Sequence, residues 1–373
     1  TVWRCLEGLG KLMQEGQLGA VQGEWARRIL STQPRRELLE CEGWLPVFGD
    51  GSLLEGSWKR EGTKYIKDKG RGLMWTTVFV GPLIAAQAIA KPGEGEETLV
   101  RALLPQVVEG VLKPLKLVER ALVMVDSLNG KGPSLDVYEQ HQLKYIAGAG
   151  ALSQTDEVLR TQPESQWFDL GAQPKRGWTE SAVCLAWIQC EGWKEKRLLV
   201  GRRIVRQDDM FPIYYGVLTN LTETDLGVSD ARQFALKVWR LYDAKGRMEL
   251  RYQDALSDLG LHHPPCQAHV RNAGFYALGT LAHTLGVGVE LIGGRGRKDM
   301  PEKPSKTQAV KVPPKIRVKP RRSFMRLWRV SRRLFALPAR LCRHARTLTV
   351  TLLGASAQTQ QLFQHYWGQI CRC

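Results

Sequence analysis

Hydrophobic residues recur every three or four positions over the first forty residues, which predicts amphipathic helices there. The pattern then changes to short apolar runs. These runs predict a strand at 44–48, a pair of strands within 74–90 and a buried strand at 121–125. The glycines and polar residues of 49–52 follow the first run directly and predict a turn.

The middle of the chain alternates between the two patterns. Residues 98–118 and 133–142 predict helices, and 145–149 predicts another strand. Pro105 and Pro114 are expected to kink or end the first of these helices, because proline cannot donate a helical hydrogen bond. Strand, helix and strand in succession indicate an α/β core with a partly parallel sheet.

Residues 153–219 differ from the rest of this core. Polar and apolar residues alternate around several tryptophans, which predicts a small antiparallel sheet inserted into the core. The helical period returns at Asp230 and runs to about Leu256, and another helix is expected after Pro264 and Pro265. The tryptophans are Trp167, Trp178, Trp187 and Trp193.

The basic charge of the chain is local. Lys and Arg number 54 against 37 Asp and Glu, a net charge of +17. Residues 295–346 contain 18 basic and 2 acidic residues, or +16, which leaves +1 for the remainder. Residues 293–320 predict a solvated linker, and 321–345 predicts a basic amphipathic helix interrupted at Pro338. A polyanion bound through this part is indicated, with DNA favoured over a bilayer surface or a partner helix.

Metal and nucleophile motifs are scarce. The 8 cysteines have no CxxC or metal-finger spacing, which is typical of free thiols in a reducing cytoplasm. His262, His263, Cys266 and His269 also match no familiar zinc spacing. No basic stretch followed by an apolar run is present near the start of the sequence, so these residues do not predict a secretory signal.

Three carboxylates stand out by position. Asp50 and Asp126 each close an apolar run, and Glu249 lies on a predicted helix, with Tyr242 and Lys245 before it at helical spacing. Taken singly, each acid has an ordinary alternative as a turn cap or a surface charge. Together, such acids can hold the divalent cations used in phosphodiester chemistry.

The segments Asp50-Gly-Ser, Val125-Asp126-Ser127 and Tyr242 to Glu249 resemble the bacterial DDE insertion-sequence transposases, in the branch with a Y-x2-R-x3-E-x6-K pattern. The resemblance extends over residues 1–350. It implies a ribonuclease-H-like mixed sheet flanked by helices, with an antiparallel β-rich insertion and a basic helical C-terminal tail. The expected bounds are a helical segment 1–40, core 41–152, insertion 153–219, core completion 220–292, linker 293–320 and tail 321–373.

The resemblance also implies an activity. Asp50, Asp126 and Glu249 would be catalytic and would hold two Mg2+ ions, with Mn2+ as an alternative. The enzyme would cleave the DNA ends of an insertion sequence and transfer them to target DNA, as a homodimer in the bacterial cytoplasm and nucleoid. Tyr242, Lys245 and Arg247 would contact the phosphate near the cut.

Further DNA contacts are expected from the insertion and from the tail. Trp178 is the candidate for stacking on a base, with core packing as its ordinary alternative. In the tail, the candidates for phosphate contacts are Arg326, Arg329, Arg332 and Arg333.

Two positions depart from the family pattern. Lys245 stands where the family has arginine, which replaces a planar bidentate donor by a point charge. Leu256 stands where the family has its second basic residue. A catalytically decayed or domesticated transposase that only binds DNA is therefore the alternative, and a nuclease acting on branched DNA is a third possibility.

Overall fold

The computed structural model of the chain describes residues 2–56, 59–66, 70–149, 153–173, 176–190, 193–207, 209–293, 339–344, 347–352 and 356–370. Within these ranges the backbone of 247–250, 339–344 and 347–352 is described without the side chains. The chain divides into two compact units, residues 1–284 and 285–373.

The larger unit is built on one ten-stranded sheet. Its strands are β1 Leu45–Glu55, β2 Lys64–Ile66, β3 Gly70–Val80, β4 Leu83–Ile89, β5 Ala121–Val125, β6 Lys144–Gly148, β7 Phe168–Asp169, β8 Trp178–Ile188, β9 Arg197–Arg206 and β10 Ile213–Thr219.

The first half of this sheet is mixed. Strands β1, β3 and β4 form an antiparallel meander, then β5 pairs parallel with β1, and β6 pairs parallel with β5. The strands of this half are almost wholly buried, as expected where helices cover both faces of a sheet. A large mixed sheet flanked by helices is compatible with the ribonuclease-H-like fold expected from the resemblance.

The predicted insertion is antiparallel, as its alternation indicates, but it does not form a sheet of its own. Strand β10 pairs antiparallel with β6 of the core, and β9, β8 and β7 follow in order. The sheet is therefore hydrogen-bonded without interruption from β3 to β7.

The helices of the larger unit lie mostly where the periodicity predicts them. Most of residues 2–38 are helical, and the apolar sides of helices Gln17–Ser31 and Glu96–Val107 pack on the meander. The helices are α1 Val2–Gln14, α2 Gln17–Ser31, α3 Arg35–Leu38, α4 Glu96–Val107, α5 Gly132–Gln140, α6 Ser153–Arg160, α7 Glu223–Leu226, α8 Ala231–Asp243, α9 Gly246–Gln253 and α10 His269–Gly293. The last nine residues of α10, 285–293, belong to the smaller unit.

Three local predictions need correction. The turn predicted at 49–52 is wrong, because β1 continues through these residues to Glu55 and stays paired with β3. The helix predicted from 230 to 256 is two helices, α8 and α9, separated at Ala244 and Lys245 before Gly246, a residue of low helix propensity. The helix predicted at 98–118 starts earlier and ends in a π-helical turn, Val108–Leu112.

The smaller unit contains a hairpin and a helix. Strands β11 Ala339–His344 and β12 Thr347–Leu352 pair antiparallel, and α11 Ala357–Ile370 packs Tyr366 against Glu290 through a hydrogen bond. The helix predicted to run to residue 345 is therefore wrong at its end, because residues 339–344 form a strand that pairs with β12, whose Thr-Leu-Thr-Val-Thr-Leu sequence has the alternation of a strand. The rest of that predicted helix, 321–338, lies outside the described residues.

Helix α10 is long and apolar enough to cross a membrane by length and composition. In its most apolar window, 56% is buried inside the protein. A core helix passes the same test, so this helix is weak support for a membrane span.

Candidate metal centre

Asp50 and Asp126 lie side by side on neighbouring parallel strands. The register pairs Gly49 of β1 with Val125, the last residue of β5, so that each aspartate is the next residue along its own strand. Adjacent strands are separated by roughly 4.8 Å. Strand β1 continues past Asp50, whereas β5 ends at Val125. Asp126 therefore lies at the carboxyl end of its strand, where the sheet edge next to both acids is not covered by β5.

Hydrogen bonds to the following turn orient the Asp126 carboxylate. Its Oδ1 atom accepts from the backbone N–H groups of Leu128 and Asn129, at 3.1 and 3.3 Å, and from the Asn129 side chain at 3.2 Å. Aspartate side chains commonly accept such hydrogen bonds from the backbone of the residues that follow them. The turn therefore supplies donors to one carboxylate oxygen.

A third carboxylate, Glu96, joins the two aspartates. Carboxylate oxygens of Asp50, Glu96 and Asp126 all lie within 4.8 Å of one another. Glu96 is the first residue of α4, which crosses β1 at the aspartate. We refer to Asp50, Glu96 and Asp126 as the carboxylate cluster.

Glycines beside Asp50 make this crossing possible. A Cβ atom on Gly51 would lie 2.6 Å from Cγ of Glu96, and a Cβ atom on Gly49 would lie 2.8 Å from a methyl group of Val100. Val100 is one helical turn after Glu96, so the first turn of α4 rests on both glycines. Glycine within a strand commonly marks such a close approach.

Glu96 is the most buried acid of the cluster. It is only 6% exposed and accepts a 2.6 Å hydrogen bond from the Asn129 amide. Burial, together with the negative charges of Asp126 and Asp50, raises the pKa of Glu96 to about 7, although Asn129 and Lys245 act in the opposite direction. Near neutral pH, a bound cation would therefore compete with a proton at this carboxyl.

The sequence contains little that identifies Glu96. Glu96 lies just before the helix predicted at 98–118, and an acid in the first turn of a helix is common because it complements the helix dipole. The informative signal is the Gly-Asp-Gly triplet on β1, since glycines on both sides of a strand aspartate indicate that another element packs closely there.

Tyr242 and Lys245 are electrostatically coupled to the cluster. Burial raises the pKa of Tyr242 to about 12, with further contributions from the negative charges of Asp126 and Asp50. A Cβ atom at Gly148, at the end of β6, would lie 2.8 Å from the Tyr242 hydroxyl. The structure thus brings two of the predicted phosphate-contacting residues to the same sheet edge as Asp50 and Asp126.

Helix α9 passes over the same strand. The Tyr252 hydroxyl donates to the backbone carbonyl of Asp50 and also bonds the Thr77 hydroxyl. Glu249 lies in α9 three residues before Tyr252, and Arg247 lies in its first turn. The side chains of Glu249 and Arg247 lie outside the described residues, so their predicted roles stay predictions. Leu256, in the π-helical turn after α9, packs against the main core.

Trp178 begins β8, at the same end of the sheet as the last residues of β9. The guanidinium carbons of Arg176 and Arg202 lie over its ring, 4.9 and 5.7 Å from the centroid. Its predicted stacking on a base is untested by this arrangement. Arg326, Arg329, Arg332 and Arg333 lie outside the described residues, and their DNA contacts also stay predictions.

Comparison with known proteins gives limited guidance. No protein-family model and no curated protein sequence matches the chain. Among solved structures, the cryo-EM structure of the piggyBac transposase synaptic complex with hairpin DNA is similar, with a TM-score of 0.35 and 11% sequence identity. The match covers 72% of this chain and 54% of that chain, so this chain spans about half the length of that transposase. A TM-score of this size does not define a shared fold.

Proposed function

We propose that the protein is a DDE-type transposase, a metal-dependent enzyme that cleaves DNA strands and transfers them. One observation carries the proposal. Three carboxylates meet within 4.8 Å at the edge of a mixed sheet, and two of them are the strand aspartates singled out in the sequence. The resemblance of the motifs supports the finer assignment to the insertion-sequence branch.

The donor atoms of the cluster suit a hard divalent cation. All three residues offer carboxylate oxygen, which is the ligand type preferred by Mg2+ and Mn2+, and no histidine or thiol belongs to this group. Asp50, Asp126 and Glu96 would hold such an ion, together with Glu249 from α9. When bound, divalent ions activate a water or a 3′ hydroxyl and stabilise the charge on the leaving oxygen.

The residues around the cluster keep its acids in position. Asn129 donates one amide to both Glu96 and Asp126, and so fixes the spacing between a helix acid and a strand acid. Tyr252 attaches α9 to the backbone of Asp50, because its hydroxyl donates to the Asp50 carbonyl. A regular helix brings position 249 to the same face as position 252, so Glu249 is the expected fourth acid.

Tyr242 and Lys245 supply the phosphate contacts. Both are coupled to the carboxylate cluster, and both precede α9. A lysine ammonium and a phenol at this edge can bind the oxygens of a phosphate adjacent to the acids. By analogy with the family, the working form on DNA is a homodimer.

Asp126→Asn tests the proposal. Purified parent and variant are incubated with supercoiled plasmid DNA and Mg2+ or Mn2+, and nicking is followed on gels. We expect the parent to nick and the variant to lose nicking while its DNA affinity is unchanged, since the amide replaces only a ligand oxygen. Joining of a labelled oligonucleotide to the plasmid distinguishes a transposase from a nuclease that only cuts.

Asp156→Asn is the matched control, because Asp156 forms an exposed ion pair with Arg160 on α6 away from the cluster. Equal nicking by Asp126→Asn and the parent would overturn the proposed role of the cluster.

A second candidate function is DNA binding without catalysis. Leu256 favours it, because this position packs against the core and offers no phosphate contact where the family has a basic residue. This function predicts salt-sensitive DNA binding and no metal-dependent nicking by the parent.

A further inference from the structure

Two arginines and two tryptophans form a continuous stack beside the carboxylate cluster. The guanidinium carbon of Arg202 lies 4.1 Å from the ring centroid of Trp239 and 5.7 Å from that of Trp178. The guanidinium carbon of Arg176 lies 4.9 Å from the Trp178 centroid. These four residues are called the Arg–Trp stack. Because planar guanidinium groups are held against aromatic rings, their donor directions are restricted before any ligand arrives.

Asp243 is the acid that faces both arginines. Its Oδ2 atom accepts from Nη2 of Arg176 at 2.9 Å, whereas its Oδ1 atom lies 3.8 Å from Nη1 of Arg202, beyond hydrogen-bond length. Two cations therefore share one carboxylate. The arrangement leaves a net positive charge in the stack.

The charge of Arg202 is incompletely compensated. The side chain is only 12% exposed, and its Nε–H finds no hydrogen-bond partner among the described residues. The pKa of Arg202 is lowered to about 10, mainly by burial. The charge of Asp243 raises this pKa, and the charge of Arg176 lowers it. The indole N–H of Trp239, itself 5% exposed, also lacks a partner in the described part of the chain. Unpartnered buried donors and surplus positive charge together indicate a site that accepts an anion.

The stack adjoins the residues that serve the carboxylate cluster. Asp243 directly follows Tyr242 on α8, and the rings of Trp239 and Tyr242 meet edge to face with centroids 6.0 Å apart. Tyr242 in turn is coupled to Asp126 and Asp50. An anion bound by Arg176 and Arg202 would thus be separated from the cluster by one aromatic side chain.

We propose that Asp243 occupies, in the free protein, the place of a nucleic-acid phosphate, and that a backbone phosphate of a DNA strand displaces it from Arg176 and Arg202. A phosphate offers the same planar pair of acceptor oxygens as a carboxylate and carries a comparable charge. Arg176, whose side chain is 47% exposed, is the contact through which the exchange begins. The choice of DNA rests on the proposed function, whereas the anion exchange rests on the stack alone.

The exchange makes Asp243 a competitor of DNA. Asp243→Asn removes the competing charge while retaining the size of the side chain. We therefore expect this variant to bind a six-nucleotide single strand up to about fivefold more tightly than the parent, because binding no longer has to break a partly exposed ion pair. Arg176→Gln is expected to weaken binding and to reduce the slope of log K against log salt by about 0.7, the value for one single-strand phosphate contact.

Fluorescence anisotropy of the labelled oligonucleotide, in EDTA, measures both variants in the full-length protein. The basic segment 295–346 is present in every variant, so differences between variants report the stack. Asp156→Asn is the matched control: Asp156 pairs with Arg160 at 2.6 Å, and Arg160 lies over the ring of Tyr214. Thermal melting of each variant verifies that it is folded.

The outcomes are separable from those of the nicking assay. Tighter binding by Asp243→Asn alone, lost when Arg176→Gln is added, supports the exchange even if the parent does not nick DNA. Equal or weaker binding by Asp243→Asn would overturn it. An equal gain in affinity for the oligonucleotide by Asp156→Asn would also overturn the exchange, because the gain would then result from the change in net charge.

Discussion

Glu96→Gln provides a direct measure of how strongly the carboxylate cluster destabilises the protein without metal. Glutamine has the shape of the protonated acid and keeps the oxygen that accepts from Asn129. Because the pKa of Glu96 rises from its ordinary 4.5 to about 7 on folding, the folded protein binds the extra proton between these values. The free energy of unfolding of the parent should therefore fall as the pH rises through this interval.

The magnitude follows from the size of that interval. Each pH unit between the two pKa values corresponds to about 1.4 kcal/mol, which gives roughly 3 kcal/mol in all. Glu96→Gln does not ionise, so it should be as stable as the parent below about pH 4.5 and more stable by up to roughly 3 kcal/mol above about pH 8. The burial of Glu96, at 6% exposure, supports the use of the full interval.

Urea unfolding in EDTA, followed by circular dichroism at several pH values, tests this expectation. The quantity of interest is the difference between variant and parent, because other groups then cancel. His283 is such a group: burial lowers its pKa to about 3, so it makes both proteins more stable as the pH rises from about 3 to its ordinary 6.5.

Glu97→Gln is the matched control, since Glu97 is the next residue of α4 and its carboxylate pairs with Lys131 at 3.3 Å. This variant should show no gain at high pH. At about pH 8, Mg2+ at one hundred times its dissociation constant should stabilise the parent by about 2.7 kcal/mol, and should stabilise Glu96→Gln by less. A difference between Glu96→Gln and the parent that does not change with pH would refute the argument.

Two further substitutions test the packing that assembles the cluster, each measured by urea unfolding. Gly51→Ala places a methyl group 2.6 Å from Glu96 and should cost about 1–3 kcal/mol. Gly95→Ala meets nothing within 4 Å and should cost about 0.5 kcal/mol, because alanine caps a helix less well than glycine. A loss for Gly51→Ala no larger than that for Gly95→Ala would contradict the close approach of α4. Tyr252→Phe leaves two buried hydrogen-bonding groups without their partner and should cost about 1–3 kcal/mol. Tyr65→Phe, at 67% exposure, should be nearly neutral, and a neutral Tyr252→Phe would contradict the attachment of α9.

Much of the core could be predicted from local pattern. Apolar runs of the length of a strand predict β3, β4 and β5. The run of β5 ends in an acid, which indicates Asp126 as a candidate site residue. The proximity of Asp50 to Asp126 is expected only from the resemblance, because the hydrophobic pattern does not show that β1 and β5 are parallel neighbours.

The remainder depends on contacts between distant segments. Glu96 is buried because α4 rests on Gly49 and Gly51, which the sequence shows only as a glycine-rich stretch that resembles a turn. The break between α8 and α9 before Gly246 cannot be seen in the hydrophobic pattern, because the helical spacing of apolar residues continues from α8 into α9. The Arg–Trp stack joins residues more than sixty positions apart, and no local pattern indicates it.

The uninterrupted sheet has a mechanical consequence. Because β10 is hydrogen-bonded to β6, and β6 to β5, the strands that carry Arg202 and Trp178 cannot swing as a separate lid over Asp126. Backbone hydrogen bonds connect these outer strands to the core. Moving them relative to Asp126 would require either twisting the whole sheet or breaking the hydrogen bonds between two strands. The continuous sheet thus sets the distance between an anion bound by the Arg–Trp stack and the acids at the sheet edge.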